Sequence, residues 1–171
     1  IMKLVGFGCS FTYGSELMDP ELEDDYDRHY DNIPYREKHC WLGQLAEMLD
    51  CSFDNRASPA SSNYSIQEEF ADWFDGRLPD SNDVICIGWT NHLRTSWWSD
   101  DDQRWVHDGF IRNEDENLFR ASFREWLALS YERNATITNH AKLFVNSVCQ
   151  ANNIKIVQFN ALCNIPTPYE F

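Results

Sequence analysis

The sequence predicts an α/β protein: a three-layer sandwich around a mostly parallel central sheet of four to five strands. Three observations carry that expectation. Segments of strand and helix character alternate along most of the 171 residues. Val84–Thr90 is a continuous apolar run, as expected of a central strand covered on both faces, and Met2–Phe7 reads as a second buried strand. The composition, 43% apolar and 15% aromatic, supplies a core for one packed domain over residues 1–171.

Taken in order, the first strand runs into Gly8-Cys9-Ser10, where glycine permits a sharp turn, and a helix can open after it. Residues 18–31 follow as a long acidic loop framed by Pro20 and Pro34, with Tyr26, Tyr30 and Tyr35 beside the acids. Such a charge run is ordinarily a solvated face, and its spacing matches no calcium loop. Trp41–Leu49 has apolar residues at helical spacing, and Cys51–Asn55 reads as a second strand. Residues 56–63 are small and polar, a loop. The next helix has its apolar face at Ile66, Phe70, Trp73 and Phe74, with Ser62 or Asn63 as cap and Gly76 as stop. After the Val84–Thr90 strand, residues 91–115 read as an irregular insertion holding Trp97, Trp98 and Trp105. Residues 117–132 and 136–152 read as two helices, and residues 154–160 as the last strand. The order is that of a flavodoxin-like sandwich.

Charge and cysteine usage narrow the partners. A net charge of −14 opposes binding to nucleic acid or to an anionic membrane. Six scattered cysteines without a Cys-x-x-Cys pair fit a reducing compartment better than a disulfide framework, and no zinc pattern is present. No run of about 20 apolar residues spans a membrane, and no signal peptide is evident. The expectation is a cytoplasmic or virion-associated protein without cofactor or metal.

In a parallel sheet the loops that follow the strands share one edge, where ligands bind. Three such loops are rich in small or amide residues: Gly8-Cys9-Ser10, the segment from Asn55 to Asn63, and Gly88-Trp89-Thr90-Asn91-His92. Acyl transfer needs a nucleophile, a base and donors aimed at the developing oxyanion. Ser10, the backbone of the second loop and the Asn91 amide are of the right chemistry. Ser10 as a mere turn or cap residue is the competing reading, and Cys9 is a second candidate nucleophile.

These three blocks, in this order, resemble the SGNH or GDSL-type hydrolases, in wording closest to a phage and bacterial branch. Gly8-Cys9-Ser10-Phe11-Thr12-Tyr13-Gly14 is similar to the block that carries the nucleophile, here Ser10. Asn55-x-Ala57-x-x-Ala60-x-Ser62-Asn63 resembles the second block, in which a glycine usually stands where Ala60 does and its N–H serves the oxyanion hole. Trp89-Thr90-Asn91-His92 resembles the third block, usually Gly-x-Asn-Asp, so Asn91 matches the oxyanion asparagine while Trp89 and His92 depart from the pattern. The resemblance implies an oxyanion hole of Ser10, Ala60 and Asn91. It also implies a final Asp-x-x-His block, which is missing after Phe159 and suggests a chain lacking its C-terminal part. The base would then come from residues absent here or, of the five histidines, from His92, which lies on the correct sheet edge and is the best substitute; His107 in the insertion ranks below it, and His140 reads as a packing or surface residue of a helix.

The expected activity is therefore serine ester hydrolysis, on a small or carbohydrate-linked ester. Trp97, Trp98 and Trp105 either form a substrate rim or pack against the helices that follow, the commoner role of large aromatics. A non-catalytic binding or assembly module, for instance in a virion or surface structure, is the alternative. A cofactor-binding flavodoxin-like domain is disfavoured, because the first loop lacks a glycine-rich phosphate cradle. The sequence does not fix an oligomeric state.

Overall fold

The computed structural model describes residues 2–22, 32–75, 82–92, 94–99, 104–108 and 131–161. Four strands, β1 (Lys3–Gly8), β2 (Ser52–Asn55), β3 (Asp83–Trp89) and β6 (Lys155–Asn160), form an all-parallel sheet in the order β2-β1-β3-β6. The helices are α1 (Ser10–Tyr13), α2 (Ile33–His39), α3 (Trp41–Met48), α4 (Asn63–Asp75) and α5 (Tyr131–Ala151). A separate antiparallel hairpin, β4 (Thr95–Ser99) with β5 (Arg104–Asp108), follows β3.

Strand alternation divides the core into two layers. Val5 and Phe7 of β1, with Ile85, Ile87 and Trp89 of β3, pack against Ile66, Phe70 and Trp73 of α4 and Ala141, Val145 and Cys149 of α5. Leu4 and Cys86 point to the other face and meet Leu42 and Ala46 of α3. Both faces of β1 and β3 are thus covered, which is why their sequences are apolar without alternation. Ring contacts bind the larger layer: Phe7 meets Phe70 edge-on at 5.7 Å and Trp73 at 5.9 Å between centroids. On the α3 side Leu42 lies over Gly6, where a Cβ would collide with it.

Three readings change, and the choice between two expected caps is decided. Residues 33–39, to which the sequence reading assigns no element, form α2. Its Arg36 is buried with the guanidinium 3.9 Å from the centre of the Tyr13 ring, so a charged residue does the packing that a periodic pattern would assign to an apolar one. The insertion at 91–115 is not irregular throughout, since β4 and β5 pair within it, Trp98 opposite Trp105 and Trp97 opposite Val106. The later helix runs unbroken from Tyr131 to Ala151, across the break expected at 133–135. Ser62, not Asn63, caps α4: Ser62 Oγ accepts from Ser65 N–H at 3.2 Å, and Ser65 Oγ accepts from Ser62 N–H at 2.9 Å. Gly76, most of the acidic loop, residues 117–130 of the helix expected over 117–132, and the chain beyond Ala161 lie outside the described residues. The five described cysteines are free thiols. No helix among the described residues is long and apolar enough to cross a membrane.

Candidate active site

The strand order places β1 between β2 and β3. The turn after β1 therefore lies between the loops after β2 and β3, and Ser10 stands between the segments carrying Ala60 and Asn91. The β1 turn is tight. Thr12 and Tyr13 N–H both donate to Cys9 O at 2.9 Å, and Gly14, at φ 82°, closes the turn by donating to Ser10 O at 2.8 Å. As the first residue of α1, Ser10 has no intrahelical acceptor for its own N–H. Thr12 is fully buried between the register partners Gly8 and Gly88, and a Cβ on either glycine would press on its Oγ1. Small residues at these two positions let the turn sit on the sheet end. Ser10 is half-buried and Cys9 fully buried, so solvent reaches the serine and not the thiol.

The second loop continues the parallel pairing beyond β2. Arg56 N–H donates to Gly6 O at 2.8 Å and Ser58 N–H to Gly8 O at 3.2 Å. Asn55 fastens it at its start: Nδ2 donates to Thr12 O at 2.9 Å and Oδ1 accepts from Ala57 N–H at 3.2 Å. One carboxamide thus joins the β1 turn to the second loop, a link the sequence did not reveal because the partners that make it, Thr12 O and Ala57 N–H, are backbone groups. Arg56 bridges Asp54 at 3.3 Å and Glu69 of α4 at 3.2 Å. Burial pushes the Glu69 carboxyl above its ordinary range despite that partner. Ala60 has φ 60°, the left-handed region. The glycine that the resemblance places here is what such a dihedral favours. The turn is closed by Ser61 N–H donating to Ser58 O at 3.4 Å, which leaves the Ala60 N–H out of the turn's bonding.

The third loop leaves β3 at Trp89, which is buried rather than facing the loops. Its indole donates to Gln158 Oε1 at 2.7 Å, and this core role accounts for a tryptophan where the resemblance expects glycine. Thr90 is held by Asn63, whose Oδ1 accepts from Thr90 N–H at 2.8 Å and whose Nδ2 donates to Thr90 O at 2.9 Å. Asn91 and His92 are half-buried, and Arg94 N–H donates to Asn91 O at 3.1 Å. Burial pulls the His92 imidazole below its ordinary 6.5, which favours its neutral form.

A cavity of about 240 Å³ opens beside the second loop, floored by Phe7 and Ile66, walled by Ser58, Ser61 and Ser65, and bordered by the Arg56–Glu69 pair. Ser10 is not among its lining residues. Trp97, Trp98 and Trp105 lie on the hairpin that grows directly from the third loop. His140 is exposed on α5 and His39 stacks on Tyr35 at 4.2 Å on α2. His107 stands on β5 and His29 lies outside the described residues.

No protein-family model matches the chain, and no curated protein matches it. Two of the solved structures that resemble it do so at low similarity. One is a member of the lipolytic G-D-S-L family from Veillonella parvula DSM 2008, with 13% identity, a TM-score of 0.36, and 94% of this chain against 79% of that one. The other, described as a lipolytic protein of the G-D-S-L family, is from Desulfitobacterium hafniense DCB-2, with 14% identity, a TM-score of 0.33, and 92% against 77%. At these scores neither bears on what the chain does.

Proposed function

We propose that this chain hydrolyses esters with Ser10 as nucleophile. The strand order β2-β1-β3 supports the reading, because the loops that carry Ala60 and Asn91 follow the strands on either side of the one that leads into Ser10. Ser10 Oγ attacks the ester carbonyl while its proton passes to the His92 imidazole. The Ser10 and Ala60 N–H groups and the Asn91 Nδ2 hold the oxyanion. Collapse of the tetrahedral species returns the proton to the leaving alcohol and leaves an acyl-serine, which water opens by the same route in reverse. The substrate class is a small or carbohydrate-linked ester, with Trp97, Trp98 and Trp105 as its rim. His92 is assigned as the base because it follows Asn91 on the same loop, and burial favours its neutral form.

Steady-state hydrolysis of p-nitrophenyl acetate tests the reading. Wild type turns over, Ser10→Ala falls to the buffer rate, and Asn91→Ala loses about 10²–10³ in kcat, the usual cost of one oxyanion donor. Equal rates for wild type and Ser10→Ala would contradict it and favour a non-catalytic binding module.

A further inference from the structure

We propose that Asn63 is a positioning residue for the oxyanion hole: by clasping the backbone of Thr90 it sets the spacing between the Ala60 N–H and the Asn91 side chain. The inference rests on the hydrolase reading above. Asn63 is 2% exposed, and three hydrogen bonds engage both ends of its carboxamide. Oδ1 accepts from Thr90 N–H at 2.8 Å, while Nδ2 donates to Thr90 O at 2.9 Å and to Thr138 Oγ1 of α5 at 3.0 Å. The side chain thus acts as a peptide unit from a neighbouring strand. It does so where β3 has run out of partners, since its pairing with β1 ends at Gly8–Gly88 and with β6 at Trp89–Asn160. A neutral planar group carrying donor and acceptor together is needed, and among side chains this short only asparagine has one.

Placement gives the clasp its meaning. Asn63 follows Ala60 by three residues and Thr90 precedes Asn91 by one, so both proposed donors flank the clasp. Helix capping does not explain Asn63, because Ser62 already caps α4. Thr90 and Thr138 are buried too, at 6% and 9% exposure. Buried polar groups are costly to leave unpaired, so the trio holds one arrangement. Three elements (the start of α4, the end of β3 and the middle of α5) meet on a single carboxamide.

The test compares wild type with Asn63→Asp and Thr138→Val. Asn63→Asp keeps the shape and the acceptor but sets a carboxylate oxygen against Thr90 O with no donor between them. Hydrolysis of p-nitrophenyl acetate should then lose about 10²-fold in kcat with KM little changed, the size of effect a misplacement of about 1 Å produces. The rate of fluorophosphonate labelling at Ser10 should fall in parallel, and the Thr90 amide should exchange faster with deuterium. Should Asn63→Asp not fold, Thr138→Val, which removes one bond and keeps the volume, should lower kcat several-fold at unchanged KM. Wild-type kcat and labelling rate in a folded Asn63→Asp, or in Thr138→Val where that variant decides, overturn the proposal and leave the hydrolase reading standing. A wild type that neither labels nor hydrolyses overturns both, and protection of the Thr90 amide then marks the clasp as architecture alone.

Discussion

Replacing Ala60 with glycine should make the protein more stable while keeping the proposed donor. Ala60 sits at φ 60°. An L-residue with a Cβ in that region gives up about 1–2 kcal/mol to the contact between Cβ and the carbonyl oxygen. Glycine avoids that contact but has more backbone freedom to lose on folding, roughly 0.5–1 kcal/mol relative to alanine. The difference favours Ala60→Gly by up to about 1.5 kcal/mol, about 0.8 at the centre of the two ranges, or ~2–3 °C in Tm for a chain of this size. Ala60→Val should move the other way by more than 1 kcal/mol, because a β-branched residue is a poorer fit to positive φ. Asn153, at φ 53°, supplies the internal comparison: asparagine tolerates the left-handed region, so Asn153→Gly should gain less than Ala60→Gly. Urea unfolding followed by circular dichroism reads all three. A midpoint for Ala60→Gly at or below wild type would show that this loop does not hold Ala60 in the left-handed conformation, and the argument for the second loop would fail with it.

Further outcomes follow from the same structure. Ser62→Ala removes the α4 cap and should cost about 1 kcal/mol in urea unfolding. Phe70→Ala, fully buried against Phe7 and Trp73, should cost about 3–5 kcal/mol by the same assay. Burial holds the Cys86 and Cys149 thiols at about 11, so both should resist iodoacetamide in native protein at pH 8 while the partly exposed Cys51 reacts ahead of these two, as peptide mapping would show. With His92 as base, the acid limb of kcat/KM against pH should have its midpoint below 6.5, with a plateau above. The contribution of His92 to stability has the same sign: a histidine whose folded pKa is lowered favours the native state fully above 6.5, and loses that contribution as pH falls through the folded value.

The sheet was readable because its central strands are apolar on both faces and its helices α3 and α4 carry apolar stripes at helical spacing. Elements without that signature were not. Arg36 buries by stacking on Tyr13, so α2 shows no stripe. In the hairpin, Trp97 and Trp98 are adjacent, which breaks the alternation that would mark β4 as a strand. At the site, Ser10, Ala60 and Asn91 were found as loop residues in a recognisable order, and the topology puts those loops side by side. The carboxamides of Asn55 and Asn63 were invisible as organisers, since each bonds a backbone carbonyl far away in sequence and no side-chain pattern records that. Alanine does not itself announce the positive φ at position 60, and the only hint is the glycine usual there in the resemblance. Trp89 looked like a departure from the site and is a core residue with a bonded indole.

The most direct measurement is intact-mass analysis after treatment with a fluorophosphonate, followed by peptide mapping. A serine activated by its surroundings takes up one phosphonyl group, and an unassisted one does not. Wild type should gain a single adduct on the peptide carrying Ser10, and Ser10→Ala should gain none. No adduct on wild type, or an adduct that persists in Ser10→Ala, would contradict the assignment of Ser10 as nucleophile.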